Sequence, residues 1–250
     1  MIQSLEEALL NNNLATIILA AGKGTRMNTG LPKVLHILKG KTLIEHVLFS
    51  AKSIEPEKIV LVIGYKYKEV MDYLNDFELD FVIQENQLGT GHAIMKCRKI
   101  MSEFKGHTLI LSGDVPLLTA KTLSKLYKFH LKNKADATVL TALAKNPKGY
   151  GRIIREKEYF KSIVEEKDAN IEQKKINEIN SGVYIFNNEI LFENINEIDN
   201  KNNQNEYYLP DVLQIICNKK FKVLVYQTEN INEIKGINNQ EQLNELEKKI

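Results

Sequence analysis

A recurring pattern of short apolar runs, several of them followed by glycine, constrains the fold of this 250-residue chain more than any other feature. The first run, Leu14–Leu19, leads into a loop at Gly22, and a similar run covers Ile59–Ile63. Runs of this length are typical of strands that are buried on both faces of a parallel sheet. Segments with helical spacing, such as Thr42–Ser53 and Thr119–Leu131, alternate with them. The alternation predicts an α/β protein with a Rossmann-like, mixed but mostly parallel sheet and helices on both faces.

The other predicted elements continue this alternation and become more polar in the second half of the chain. In the first half we predict strands Phe81–Ile83, Thr108–Leu111 and Thr138–Leu143, and helices Lys68–Leu74 and Gly91–Met101. In the second half we predict strands Gly149–Arg155, Lys161–Glu166, Gly182–Phe186 and Lys222–Tyr226, and helices Glu206–Cys217 and Gln240–Ile250. Since no linker rich in Pro, Gly or Ser divides the chain, we predict a single domain whose later strands form a wall over the sheet.

Composition and charge exclude several classes of protein. The 34 Lys and Arg residues nearly balance the 32 Asp and Glu residues, and the net charge of +2 gives no support to a nucleic-acid or membrane partner. Two isolated cysteines, Cys97 and Cys217, exclude a disulfide scaffold and a four-ligand zinc site. No apolar run has the length of a transmembrane helix, and the N-terminus, with Glu6 and Glu7, does not resemble a signal peptide. We therefore predict a cytoplasmic location.

The loop after the first predicted strand is the strongest candidate for chemistry. It reads Gly22-Lys23-Gly24, with Arg26 close behind and Lys33 after a proline. Backbone N–H groups of such a loop can bind phosphate oxygens, Arg26 can bind two oxygens at once, and Lys33 adds a compact charge. The spacing fits neither a Walker A sequence nor the dinucleotide fingerprint. A tight turn with surface cations would explain the glycines alone, whereas Arg26 and Lys33 favour phosphate binding.

A second candidate, Asp114, follows the predicted strand Thr108–Leu111. The carboxyl ends of the strands are where open α/β sheets bind ligands. A single carboxylate there suits Mg²⁺, which usually takes one or two protein carboxylates together with phosphate oxygens and water. The alternative is an aspartate that caps a helix, and the phosphate-binding loop upstream favours the metal.

A third candidate is the polar segment between the strand Phe81–Ile83 and the next helix. Gln84 and Thr90 carry amide and hydroxyl groups of the kind that recognise a pyrimidine edge, and Gly89 permits close approach of the backbone. A capped helix start explains this segment nearly as well, and His92 is assigned no chemistry. The sequence contains no recognisable Ser-His-Asp, Cys-His or zinc-ligand set.

Taken together, these segments resemble the sugar-phosphate nucleotidyltransferases, and more narrowly the uridyltransferase (pyrophosphorylase) domains of bacterial N-acetylglucosamine-1-phosphate uridyltransferases. The resemblance covers about Leu14 to Leu246. Its most specific blocks are Leu31-Pro-Lys-Val-Leu-His36, Gln87-Leu-Gly-Thr-Gly-His-Ala93, Gly113-Asp-Val-Pro-Leu117, Gly149-Tyr-Gly-Arg-Ile153, Val164-Glu165 with Lys167-Asp168, Glu178-Ile-Asn-Ser-Gly182, Glu206-Tyr-Tyr208 and Gly236-Ile-Asn-Asn239. It implies the nucleotide-diphospho-sugar transferase fold, in which a single domain carries a small sugar-binding subdomain.

The resemblance also implies a role for each matching residue. The implied catalytic residues are Arg26 and Lys33, and Asp114 and Asn238 are the implied ligands of Mg²⁺. The implied nucleotide-binding residues are Leu19, Ala20, Ala21, Gly22, Lys33, Gln84, Gly89, Thr90, Ser112, Gly113 and Asp114. The implied sugar-binding residues are Gly151, Glu165, Asn180 and Asn238.

The implied reaction joins UTP and N-acetyl-α-D-glucosamine 1-phosphate into UDP-N-acetylglucosamine and pyrophosphate with Mg²⁺ as cofactor. We expect a leader over residues 1–13, a nucleotide-binding half over 14–135, a sugar-binding half over 136–238 and a C-terminal helix over 239–250. No hexapeptide repeat occurs, so no left-handed β-helix acetyltransferase domain is expected, and a separate acetyltransferase stays open as a partner. The chain is expected to be a monomer or a weak homo-oligomer. A cytidylyl- or thymidylyltransferase, a non-catalytic nucleotide-sugar sensor and an α/β domain with an unrelated ligand remain as alternatives.

Overall fold

Eleven strands and nine α-helices form the part of the chain that this computed structural model describes, residues 13–249. The strands are β1 (Leu14–Ala20), β2 (Ile37–Leu38), β3 (Lys41–Thr42), β4 (Lys58–Ile63), β5 (Asp80–Ile83), β6 (His107–Ser112), β7 (Ala137–Leu143), β8 (Arg152–Glu156), β9 (Tyr159–Val164), β10 (Glu178–Asn187) and β11 (Val223–Gln227). The helices are α1 (Leu43–Lys52), α2 (Tyr67–Tyr73), α3 (Thr90–Lys96), α4 (Arg98–Met101), α5 (Ala120–Lys132), α6 (Ile171–Lys174), α7 (Asn188–Asn194), α8 (Leu209–Asn218) and α9 (Gln240–Lys249). The predicted leader, apart from Asn13, and Ile250 of the predicted last helix lie outside the described residues.

Nine of the strands form one mixed sheet. Its main order is β11-β7-β10-β6-β1-β4-β5, and β8 joins β10 to β9 at the side. The pairs β1–β4, β1–β6, β4–β5 and β7–β11 are parallel, whereas β10 runs antiparallel to β6, β7 and β8. The parallel strands therefore end at a common edge, and the antiparallel hairpin β8–β9 adds the wall that the sequence predicted for the second half.

Alternate residues of the central strands enter two separate cores. In β1, Leu14 and Ile18 belong to the core on one face, and Ala15 and Ile17 belong to the core on the other face. Helices α1 and α5 cover the first face, while α3 and α8 cover the second. Since both faces of β1 are covered by helices, nearly every residue of this strand must be apolar. The predicted Rossmann-like α/β fold is confirmed.

Two predicted helices have different bounds in the structure. The predicted helix Gly91–Met101 is divided at Cys97, because the Cys97 N–H donates to the Ile94 carbonyl, three residues back, and tightens the turn. The predicted helix Glu206–Cys217 begins at Leu209. Before it, the backbone is extended and the Tyr207 N–H donates to the Leu88 carbonyl at 2.8 Å. This pairing with a distant loop replaces the expected first turn.

A predicted strand also starts later than expected, because Gly149–Gly151 form a loop and β8 begins at Arg152. Conversely, β10 starts at Glu178, well before the predicted Gly182. Helix α7 was not predicted; the Asn187 side chain caps it by accepting from the Ile190 N–H at 3.2 Å.

Among residues 13–249, no helix combines the length and the apolar character that crossing a membrane requires.

Candidate functional site

The carboxyl ends of β1 and β6 bring the two strongest sequence candidates together. These strands are parallel neighbours, and Leu19 pairs with Ser112 at their last common position. The glycine loop that continues β1 therefore lies beside Asp114, which follows β6. The Gly113 N–H donates to the Leu19 carbonyl at 2.9 Å and fixes the two segments to each other.

A cavity of about 270 Å³ opens at this edge of the sheet. All the residues predicted to bind the nucleotide, except Gly113, contribute to its lining, which consists of Leu19, Ala20, Ala21, Gly22, Lys33, Val34, Gln84, Gln87, Gly89, Thr90, Ala93, Ser112, Asp114 and Glu206. Gly113 lies behind this lining, since a Cβ atom there would come within 3.1 Å of the Ile44 side chain. Residues 19–34, 84–93 and 112–114 together with Glu206, which come from four separate parts of the sequence, thus surround one cavity.

Two cationic side chains and two side-chain oxygens that accept their hydrogen bonds form a network beside this cavity. The Lys33 ammonium donates to Asp114 Oδ2 and, at 2.9 Å, to Asn238 Oδ1. The Arg26 guanidinium donates to the same Asn238 oxygen at 3.1 Å. Asn238 is distant in sequence from the other three residues. The Ile237 N–H donates to the Asp114 carbonyl at 2.9 Å and holds Asn238 beside them. The predicted catalytic and metal-binding residues therefore form one cluster.

The chemistry of this cluster fits Mg²⁺. A carboxylate oxygen of Asp114 and an amide oxygen of Asn238 converge on one positive charge, the Lys33 ammonium. Mg²⁺ favours oxygen ligands and takes few of them from the protein when phosphate oxygens and water supply the rest. Asp114 and Asn238 are therefore suitable ligands for an ion that binds together with a triphosphate.

The predicted base-recognition segment has a firmly held geometry. Gln84 is buried, and its Nε2 donates to the Gly89 carbonyl at 3.0 Å. The Thr90 hydroxyl accepts from the Leu209 N–H at 3.1 Å, at the start of α8. Gly89 has φ 104°, and a Cβ atom there would lie 2.5 Å from the Tyr207 carbonyl oxygen. The close approach at Gly89 is thus made by the backbone of residue 207.

Three of the four residues predicted to bind the sugar form a second group. A Cβ atom on Gly151 would lie 2.9 Å from Glu165 Oε1, and the Asn180 N–H donates to the Gly151 carbonyl at 2.9 Å. The group lies near the cavity, because Asn180 Oδ1 accepts from the Gly182 N–H at 3.1 Å. A Cβ atom on Gly182 would in turn lie 3.4 Å from Oγ of Ser112, which lines the cavity. Asn238 is the exception, since its side chain contacts the cations described above.

Glu165 lies in a strongly acidic environment. Burial raises the pKa of Glu165 to about 7, and Asp211, Asp168 and Glu206 contribute to the increase. Arg152 acts in the opposite direction and favours the carboxylate. Burial also raises the pKa of Asp211 to about 6. A carboxyl group with a pKa in this range is partly ionised at neutral pH, and its carboxylate form accepts hydrogen bonds from sugar hydroxyls.

Several residues at the site were not assigned a role from the sequence. Glu206 and Gln87 contribute to the lining of the cavity, and Arg152 lies beside Glu165. Glu206 belongs to the block Glu206–Tyr208 of the resemblance, which assigned it no role. Gln87 and Arg152 belong to the quoted blocks Gln87–Ala93 and Gly149–Ile153, and that membership is the signal that pointed to them.

Comparisons with known proteins identify the family of this chain. A family model described as a MobA-like NTP transferase domain matches residues 16–176. The chain is 48% identical over 233 residues to the bifunctional protein GlmU of Streptococcus agalactiae serotype V (strain ATCC BAA-611 / 2603 V/R), with 93% of this chain and 50% of that protein covered. It is 50% identical over 224 residues to the bifunctional protein GlmU of Streptococcus pyogenes serotype M12 (strain MGAS2096), with 89% and 53% covered. The chain spans about half the length of the curated relatives it matches. The resemblance seen in the sequence is confirmed.

Solved structures share the fold at low sequence identity. One is a UDP-glucose pyrophosphorylase complexed with UDP-glucose, with a TM-score of 0.69, 21% identity and coverage of 94% of this chain and 99% of that one. Another is a Bacillus anthracis protein in complex with sucrose, with a TM-score of 0.71, 17% identity and coverage of 95% and 96%. The nucleotide-diphospho-sugar transferase fold implied by the sequence is confirmed.

Proposed function

This chain belongs to the MobA-like NTP transferase family, and we propose that it transfers UMP from UTP to N-acetyl-α-D-glucosamine 1-phosphate in a reaction that depends on Mg²⁺. The products are UDP-N-acetylglucosamine and pyrophosphate. The observation that carries the proposal is the cluster of Arg26, Lys33, Asp114 and Asn238 beside the cavity. A triphosphate with its metal needs both cations and oxygen ligands at one place, and this cluster contains both.

The main obstacle to this reaction is the repulsion between two anions. A phosphate oxygen of the sugar phosphate attacks the α-phosphorus of UTP in line, and the bond from that phosphorus to the pyrophosphate oxygen breaks. A phosphate monoester has a second pKa of about 6, so the attacking oxygen is already negatively charged at neutral pH. No general base is needed, and the protein contributes mainly charge and alignment.

Arg26 and Lys33 supply that charge. Lys33 lines the cavity, and its ammonium can bind a phosphate oxygen when the triphosphate replaces its present partners. Arg26 is exposed beside it and can bind two phosphate oxygens at once. Mg²⁺, held by Asp114 and Asn238, would neutralise phosphate charge and help to align the reacting groups.

The remaining residues select the two substrates. Gln84 and Thr90 line the cavity and offer amide and hydroxyl groups to the uracil ring. Glu165 and Asn180, which meet at Gly151, offer hydrogen bonds to the hydroxyl and acetamido groups of the sugar. In this proposal residues 14–135 bind the nucleotide and residues 136–238 bind the sugar. Asn238, the last residue of the sugar-binding half, contacts Arg26 and Lys33 of the nucleotide-binding half.

The test is pyrophosphate release by the purified protein, with and without Mg²⁺. UTP, CTP and dTTP are each combined with the 1-phosphates of N-acetylglucosamine, glucose and N-acetylgalactosamine. We expect the highest kcat/KM with UTP, N-acetylglucosamine 1-phosphate and Mg²⁺ together. A preference for CTP or dTTP would refute the uridylyl assignment. No release with any combination would refute the enzymatic function and favour a binding protein.

A further inference from the structure

A buried arginine supports the loop Gly149–Gly151 beside the predicted sugar site. Arg152, the first residue of β8, is 1% exposed. Its guanidinium donates to Glu166 Oε2 at 2.7 Å and to the Tyr150 carbonyl oxygen. A buried guanidinium charge costs several kcal/mol of desolvation unless it is paired and hydrogen-bonded, so a surface role does not explain this placement.

Glu166 connects the arginine to the opposite end of the same loop. The oxygen that accepts from Arg152 also accepts from the Gly149 N–H at 3.1 Å. Arg152 and Glu166 therefore hold the loop at both Gly149 and Tyr150. The Glu166 side chain remains 28% exposed, so it can be replaced without opening a cavity in the core.

This loop packs against Glu165 and Asn180, the two other residues of the predicted sugar group. At Gly151, where a side chain would collide with Glu165 Oε1, the loop backbone lies against that carboxyl group. The Gly151 carbonyl accepts from the Asn180 N–H at 2.9 Å, which joins the loop to β10. A shift of the loop would therefore disturb its contacts with both Glu165 and Asn180.

Arg152 also affects the charge of Glu165. The groups that face Glu165 are Asp168 in the loop after β9, Glu206 before α8, Asp211 in α8 and Arg152 in β8. The three carboxylates raise the pKa of Glu165, and Arg152 lowers it. Among these neighbours Arg152 alone favours the carboxylate form that accepts hydrogen bonds from sugar hydroxyls.

We propose that Arg152 and Glu166 are positioning residues for the acceptor sugar, because together they hold the loop Gly149–Gly151 against Glu165. This inference rests on the proposed function. Neither residue contacts the reacting phosphates; both act through the loop and through Glu165. Their replacement should therefore affect the sugar phosphate and leave UTP almost unaffected.

The test compares the KM values of both substrates in variants of the full chain. Glu166→Ala should raise the KM for the sugar phosphate at least about tenfold while the KM for UTP stays within about twofold, since small displacements at a binding site have large effects. Glu166→Gln keeps an oxygen that can accept from both Gly149 and Arg152, so it should remain within about threefold of wild type.

A double variant, Arg152→Met with Glu166→Gln, leaves no unpaired buried charge and keeps the test valid if Glu166→Ala fails to fold. It should raise the KM for the sugar phosphate in the same way. It should also move the acidic limb of kcat/KM to higher pH, because Arg152 no longer favours the Glu165 carboxylate. A purely structural role would leave that limb in place.

Arg155→Met is the matched control. Arg155 lies in the same strand and pairs with Glu178 through bonds of 2.7 Å and 2.8 Å, away from the loop. If this control raised the sugar-phosphate KM as much as Glu166→Ala, the positioning role would be refuted. A folded Glu166→Ala protein with a sugar-phosphate KM within about twofold of an active wild type would refute it as well. A wild-type protein that releases no pyrophosphate with any sugar phosphate would instead refute the proposed function.

Discussion

Replacement of Gly89 by alanine should both destabilise the protein and weaken nucleotide binding. Gly89 has φ 104° and ψ 173°, a backbone conformation that residues with a Cβ atom almost never adopt. The new Cβ atom would also lie 2.5 Å from the carbonyl oxygen and 2.8 Å from the amide nitrogen of Tyr207. These are backbone atoms, so a change of rotamer cannot relieve the collision.

The expected loss of stability has two parts. The backbone conformation alone costs about 1–3 kcal/mol for a residue with a side chain. If Tyr207 moves away, the bonds from Gly91 N–H to its carbonyl at 2.7 Å and from its N–H to Leu88 at 2.8 Å are weakened. Each such bond contributes about 0.5–1.5 kcal/mol, so the loss of unfolding free energy should be about 2–6 kcal/mol.

Gly40→Ala separates these two parts. Gly40 has φ 80° in the turn between β2 and β3, and a Cβ atom there would meet nothing within 4 Å. Urea unfolding should therefore show a loss of only about 1–2 kcal/mol for this control. Because the Gly89 carbonyl holds Gln84 at 3.0 Å, Gly89→Ala should also raise the KM for UTP, whereas Gly40→Ala should not. Equal destabilisation by the two variants would refute the argument from close approach.

The other predictions concern charge at the site. Arg26→Ala and Lys33→Ala should each lower kcat at least about 10²-fold, as the loss of an electrostatic donor does elsewhere; wild-type turnover in both variants would refute their roles. Asp114→Asn should raise the Mg²⁺ concentration needed for half-maximal rate, and an unchanged titration would remove Asp114 from the metal site. The pKa of Glu165 is raised from 4.5 to about 7, so between these values the folded state binds more protons and the free energy of unfolding falls as the pH rises. Glu165→Gln should reduce this fall, which urea unfolding at pH of about 5 and about 8 would measure; an identical fall in both proteins would contradict the assignment.

Local sequence patterns predicted those parts of the fold that depend on local forces. The strand β1, its glycine loop and the placement of Asp114 after β6 follow from apolar runs and from the rule that parallel strands end at one edge. The start of α8 did not follow, since Glu206–Tyr208 stay extended through bonds to residues more than 100 positions earlier. The division of the helix at Cys97 and the capping of α7 by Asn187 were likewise not evident from periodicity.

The sugar group could not be derived from local pattern at all. Gly151 lies in the loop before β8, Glu165 directly follows β9 and Asn180 lies in β10. Antiparallel pairing of β8 with both β9 and β10 brings these residues together, and the sequence resemblance alone brought them into consideration. Arg152 illustrates the reason. An arginine that begins a strand is usually exposed, whereas Arg152 is buried and contacts Glu166 and the Lys174 carbonyl, neither of which a local pattern indicates.

Asn238 shows how the end of the described chain completes the site. It lies 124 positions after Asp114, and no local signal pairs them. The apolar face of α9, through Leu243 and Leu246, packs in one cluster with Met27, Leu38 and Leu43. Met27 is adjacent to Arg26, so this small core brings the segment before α9 towards the glycine loop, and the bond from Arg26 to Asn238 follows from that packing. Helix α9 therefore helps to place the Asn238 side-chain oxygen beside Arg26. The cluster on which the proposed chemistry depends results from tertiary packing as much as from the glycine loop after β1.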